Sequence, residues 1–112
     1  MRLVIVESPY KGWWWRRFLN RHYARMCLRD CIARGEAPFA SHLLYTQPGV
    51  LRDRDPIDRA RGISAGLAWG DVADATVVYV DRGITPGMCL GIDAAERAGR
   101  PVERRSLVNG GR

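Results

Sequence analysis

Lysine is almost missing from this 112-residue chain: of 18 basic residues, Lys11 is the only lysine and the other seventeen are arginine. The skew fits a GC-rich genome and favours guanidinium chemistry wherever the chain meets an anion. Cysteine is also scarce. Cys27 and Cys31 lie four apart on one helical face and Cys89 stands alone, with no CxxC or Cys/His spacing. That excludes a disulfide framework and a zinc site, and reads as buried thiols in a reducing compartment. Long apolar runs are absent as well. The longest reach about five to six residues, far below the roughly 18–20 of a membrane span. The start MRLVIVESPY has neither a useful apolar core nor a small-residue cleavage site, so no signal peptide is expected. The expectation is a cytoplasmic protein without membrane partners.

With 46% apolar and 27% charged residues, the composition is that of a folded chain, and it excludes a disordered or fibrous one. One domain over residues 1–107 is expected, with a frayed tail at 108–112. The net charge of +6 points to an anionic partner, either nucleic acid or a small phosphorylated ligand.

The run LVIV at 3–6 reads as a central parallel strand covered on both faces. A helix is predicted from Trp13 to Arg34 and closed by Gly35, with Asn20, Ala24, Cys27, Leu28, Cys31 and Ile32 inward. Arg17, Arg21, Arg25 and Arg29 form an unbroken i,i+4 ridge on its outer side. A second strand is expected within 37–45, then a loop over 46–55. Asp55-Pro56-Ile57-Asp58 begins a helix to about Gly70 that would bury Ile57, Ala60, Ile63, Ser64, Leu67 and Ala68. TVVYV at 76–80 is the clearest strand. Thr85-Pro86-Gly87 opens a third helix, packed through Met88, Gly91, Ile92 and Ala95, and residues 101–107 read as a last strand at an edge.

This order, βαβαβαβ, implies an α/β, flavodoxin-like (Rossmann-like) fold. It has a four-stranded parallel sheet of order 2-1-3-4 and helices on both faces. Ligands of such sheets bind beyond the carboxyl ends of the strands where the order reverses, here between the first and third strands. The loops Glu7–Gly12 and Asp81–Met88 meet at that point. Glu7 and Asp81 end the two central strands and are the candidate acids. The TPGM helix start offers backbone N–H groups to an anion, with Gly87 allowing close approach. His42 is the better ligand candidate of the two histidines. The triplet Trp13-Trp14-Trp15 cannot all face one core, because neighbours on a helix diverge by about 100°. One indole is therefore expected at an interface or over the crevice as a stacking surface. The arginine ridge reads as a solvated face or a pairing surface, and nucleic-acid binding is the less favoured reading because aromatics are not seen interleaved with it.

SPY after the first strand, Asn20 with Ala24, PFASHLLY, and the D-x-G…GM loop before a helix ending in GRPV together resemble the nucleoside 2-deoxyribosyltransferase-like superfamily. The likeness covers about residues 2–107 and is strongest to small phage and actinobacterial members. It implies a nucleoside or nucleotide pocket at the same crevice, no added cofactor, and a homo-oligomer in which a neighbour helps to close the site. By this resemblance Ser8 and Tyr10 line the first loop and Asp81 touches sugar or base. Trp14, Gly83, Thr85, Gly87 and Met88 complete the candidate ligand-binding set with Glu7 and His42.

One departure bears on mechanism. The enzymes of the superfamily place a glutamate nucleophile at the start of the third helix. Here Cys89 or Gly91 stands there, depending on which flanking motif sets the register, and the nearest acid is Asp93. No catalytic residue is assigned on sequence alone. The leading expectation is a nucleotide binder that holds its ligand intact, acting by sequestering an ADP-ribose-type or cyclic signal, in the host cytoplasm if phage-encoded. The alternatives are an active N-glycosidase or deoxyribosyltransferase with a rearranged acid, and a basic DNA- or partner-binding protein using the ridge.

Overall fold

The computed structural model describes residues 1–12, 14–52 and 54–108, and only the backbone of Trp14. Its elements run β1 (Arg2–Glu7), α1 (Trp14–Ala33), β2 (Glu36–Phe39), α2 (Ser41–Leu44), α3 (Pro56–Gly70), β3 (Ala75–Tyr79), α4 (Pro86–Arg97) and β4 (Val102–Arg105). The four strands form one sheet of order β2-β1-β3-β4, and every neighbouring pair is parallel. This is the expected flavodoxin-like topology, with the reversal of strand order between β1 and β3.

Alternation along the strands divides the chain's side chains between two faces. Val4 and Val6 of β1 join Ala75, Val77 and Tyr79 of β3 against Tyr23, Cys27 and Cys31 of α1. Arg100, Gly70 and Thr76 meet on the other side, where the Arg100 guanidinium donates to the Gly70 carbonyl at 2.7 Å and to Thr76 Oγ1 at 3.1 Å. All five residues of β3 are buried, as a run of β-branched residues in a doubly covered strand requires. No helix among the described residues is long and apolar enough to cross a membrane.

Three expectations need correction. The second strand stops at Phe39, and Ser41–Leu44 form the short helix α2, so His42 sits on a helical turn and not at a strand end. In α1, Ile32 faces solvent at 59% exposure, while Tyr23, not foreseen, is buried. The largest difference is α3. Ile57, Ile63 and Leu67 are 64%, 42% and 48% exposed, and Ala60, Ser64 and Ala68 are also outward. The helix packs instead through glycine. A β-carbon at Gly66 would lie 3.0 Å from Ser41, and one at Gly70 3.0 Å from Arg100. Bare backbone allows that approach, and the apolar stripe is left outside, where Pro56, Ile57, Ala60, Arg61 and Ser64 line a shallow hollow of about 500 Å³.

β4 is an edge strand as expected, yet Arg105 turns inward. Its Nη1 and Nη2 each donate at 2.7 Å to one oxygen of buried Glu36 on β2, the opposite edge. Arg2, Glu103, Cys31 and the Tyr79 hydroxyl complete the cluster. Of the expected tail, Val108 donates its N–H to Asp81 at 3.0 Å, and residues 109–112 lie outside the described residues.

Candidate functional site

Three candidates from the β1 and β2 ends come together. Ser8, buried just beyond β1, places its Oγ 3.0 Å from His42 Nε2, and the His42 ring meets Tyr10 edge to face at 5.7 Å between centroids. Burial without an acidic partner holds His42 down to about 4, so the imidazole is neutral at pH 7. The first loop is fixed from α1. Buried Asn20 donates Nδ2 to the carbonyls of Tyr10 at 3.2 Å and Lys11 at 3.3 Å. The sequence marked Asn20 as an inward residue and as one of those that carry the resemblance. Its role as the clasp of the loop needed the fold.

Thr85, Gly87 and Met88 also act together. Thr85 Oγ1 accepts from the Met88 N–H at 3.2 Å, and Met88 Sδ accepts from the Thr85 N–H at 3.4 Å. Cys89 N–H goes to the Thr85 carbonyl. Pro86 has no N–H, so Gly87 is the N-terminal donor of α4 left open among the described residues. A β-carbon there would meet only Thr85 Oγ1, at 3.9 Å. The helix start can therefore receive an anion through one donor and not through several.

Asp81 is engaged by the protein itself. It accepts from the Tyr23 hydroxyl at 2.6 Å, from the N–H groups of Leu107 at 2.9 Å and Val108 at 3.0 Å, and from Ser106 Oγ. Four donors fill the acceptor sites of a carboxylate and hold its pKa far below the usual range despite partial desolvation. Asp81 thus anchors the chain leaving β4. Gly83, at φ +83°, makes the turn that follows. Asp93 is half-exposed and pairs with Arg97 at 3.0 Å. The Trp14 side chain and Trp13 lie outside the described residues.

Glu7 behaves differently from both aspartates. Its side chain crosses from β1 to α4 and lies directly over Gly91, where an added β-carbon would collide with the carboxyl carbon and both oxygens. No hydrogen-bond donor among the described residues reaches that carboxyl group. Burial pushes it up to about 8, and the charge of Arg100 offsets this only in part. At neutral pH it is mostly a carboxylic acid, placed at the switch point of the sheet. Gly91 entered the sequence reading as one of two positions lacking the superfamily's glutamate. That a carboxyl group from another strand fills the space there was not legible, because nothing in the spacing links position 7 to position 91.

A family model for a domain of unknown function, DUF7768, matches residues 2–105. The chain belongs to the DUF7768 family. No curated protein matches it. Among solved structures, this DUF7768 domain is similar to a 2-deoxyribosyltransferase from the psychrotolerant bacterium Bacillus psychrosaccharolyticus, described as a biocatalyst for nucleoside synthesis. The TM-score is 0.66 at 20% identity, over 93% of this chain and 72% of the other. At that identity the likeness establishes a shared fold.

Proposed function

We propose that this DUF7768 protein binds a nucleoside or nucleotide in the crevice between β1 and β3 and breaks its N-glycosidic bond, with Glu7 as the working acid. The observation that carries this reading is the Glu7 carboxyl group over Gly91: an unpartnered acid in the space where the resemblance implies a catalytic carboxylate. Ser8, Tyr10 and His42 would form the wall beside it, and the open N–H of Gly87 would take a phosphate or sugar oxygen.

In this mechanism neutral Glu7 donates its proton to the departing base, which leaves with the electron pair of the C1′–N bond. The carboxylate left behind stabilises the oxocarbenium-like sugar and takes a proton from the attacking water, whose oxygen bonds to C1′. Base and free sugar are released and Glu7 is again protonated. In the transferase form, a second base replaces the water.

A second reading, retention of the ligand intact, is favoured by the engagement of Asp81. Glycoside hydrolysis ordinarily uses two carboxyl groups, and Asp81 has no acceptor site to spare. On that reading the protein sequesters a nucleotide signal. Incubation with a pool of nucleosides, nucleotides, cyclic nucleotides and ADP-ribose derivatives separates the two. Free base in the filtrate, lost in Glu7→Gln, supports cleavage. A compound recovered unchanged from heated protein supports retention, and an unchanged pool refutes both.

A further inference from the structure

We propose that the outer side of α1 is a binding surface for single-stranded nucleic acid, separate from the crevice and independent of any chemistry there. The inward side of α1 is complete: Asn20, Tyr23, Ala24, Cys27 and Cys31 are buried. At 100° per residue, Phe18, His22, Arg25 and Arg29 fall on the strip opposite them. Phe18 is 67% exposed, and Trp15, Leu19 and Met26 border the strip, each more than one third exposed.

The helix carries Arg16, Arg17, Arg21, Arg25 and Arg29 against one acid, Asp30. Asp30 is occupied by the Tyr79 hydroxyl at 2.7 Å and by Arg34 at 2.9 Å. Among the described residues no carboxylate pairs with Arg17, Arg21, Arg25 or Arg29, and Arg16 stacks its guanidinium over the Trp15 ring at 5.1 Å. The ridge climbs the helix in steps of about 6 Å, each like-charged pair unfavourable without counter-charge.

Two features thus remain unresolved on one surface: uncompensated guanidinium groups and flat apolar side chains standing in solvent. A single strand resolves both, since its phosphates neutralise the ridge while its unpaired bases stack on Phe18 and Trp15. A duplex offers the phosphates but hides its base faces. Phe18 lies in line with Arg25 and Arg29, so an aromatic face and the charges share one strip, as bases stacked beside their own phosphates require, with Trp15, Leu19 and Met26 along one side of it.

The test is fluorescence anisotropy of labelled 20-nucleotide oligothymidylate and oligouridylate, and of a duplex of equal length, between 50 and 300 mM KCl. Four neutralised phosphates give a slope of log K on log salt of about −2.8, at about 0.7 per phosphate. Arg25→Gln with Arg29→Gln should bring the slope to about −1.4. Phe18→Ala should weaken binding roughly 5- to 150-fold with the slope unchanged, as loss of base stacking does. These residues face outward, so circular dichroism should be the same for all variants. Absence of binding at 100 μM protein in 50 mM KCl overturns the proposal. So does tighter binding to the duplex, or affinity indifferent to these substitutions. A dimer in sedimentation that Phe18→Glu dissociates would also overturn it, since a second copy would then cover α1.

Discussion

Replacing Glu7 by glutamine removes a partly buried acid whose ionisation the fold opposes, and the consequence is a change in how stability depends on pH. In the unfolded chain the carboxyl group titrates near 4.5, and in the folded protein near 8. Between these values the folded state holds a proton that the unfolded state has released. The stabilisation is therefore complete below pH 4.5 and is lost as pH rises through 8. From pH 6.5 to 8.5 the loss is about 2 kcal/mol, at about 1.36 kcal/mol per unit of pH until the folded group itself ionises. Urea unfolding at those two pH values measures it directly. The native protein should lose about 2 kcal/mol between them and the Glu7→Gln variant almost none. Equal slopes in the two proteins would mean that Glu7 is already ionised when folded, and the general-acid role would fall with it.

Gly91→Ala puts a methyl group into the volume of the Glu7 carboxyl group. Because that group is the far end of a flexible side chain, it should swing aside at a cost of about 1 kcal/mol, at the low end for overpacking. Base release and the pH dependence should be lost with the displacement; a variant that keeps both would contradict the described geometry. His42 gives the opposite ramp. Its neutral folded form holds down to about 4 against 6.5 unfolded, so stability falls as pH drops across that interval. Between pH 4.5 and 6.5 the Glu7 and His42 slopes should nearly cancel, leaving a plateau that His42→Asn converts to a slope. Arg105→Leu strands Glu36 without its bidentate partner inside the protein. Its cost should be about 3–5 kcal/mol in chemical denaturation, partly recovered by adding Glu36→Leu.

The parallel sheet and its strand order were legible because LVIV and TVVYV are short apolar runs between helical segments, and because the crossover rules leave few topologies. β3 is covered on both faces as expected, whereas in β1 only Val4 and Val6 of the run are buried and Leu3 is 41% exposed. The caps were legible for a local reason. Asp55 does accept from the Ile57 N–H at 2.9 Å, and Thr85 does cap α4. Where sequence reading failed, the deciding contact was distant. The face of α3 was misread because apolar residues at helical spacing ordinarily mark the buried side, whereas here Gly62, Gly66 and Gly70 allow the backbone itself to pack. For the crevice, position in the fold was readable: Ser8, Tyr10 and His42 do lie together beyond β1 and β2, and Thr85 does start α4. The use made of each acid was not, because it depends on which donors surround it. Asp81 is surrounded by four and Glu7 by none among the described residues.

That Glu7 ends β1 has a mechanical consequence. β1 is hydrogen-bonded on both sides, to β2 and to β3, so its amides should exchange with solvent only when the sheet opens as a whole. α4 begins in a turn that can fray by itself. A ligand site at this point would therefore have one stiff wall, which carries the acid, and one yielding wall, which ends at Gly87. A ligand should enter by displacing the first turn of α4, and deuterium uptake at residues 85–89 should slow on binding while that of β1 stays unchanged.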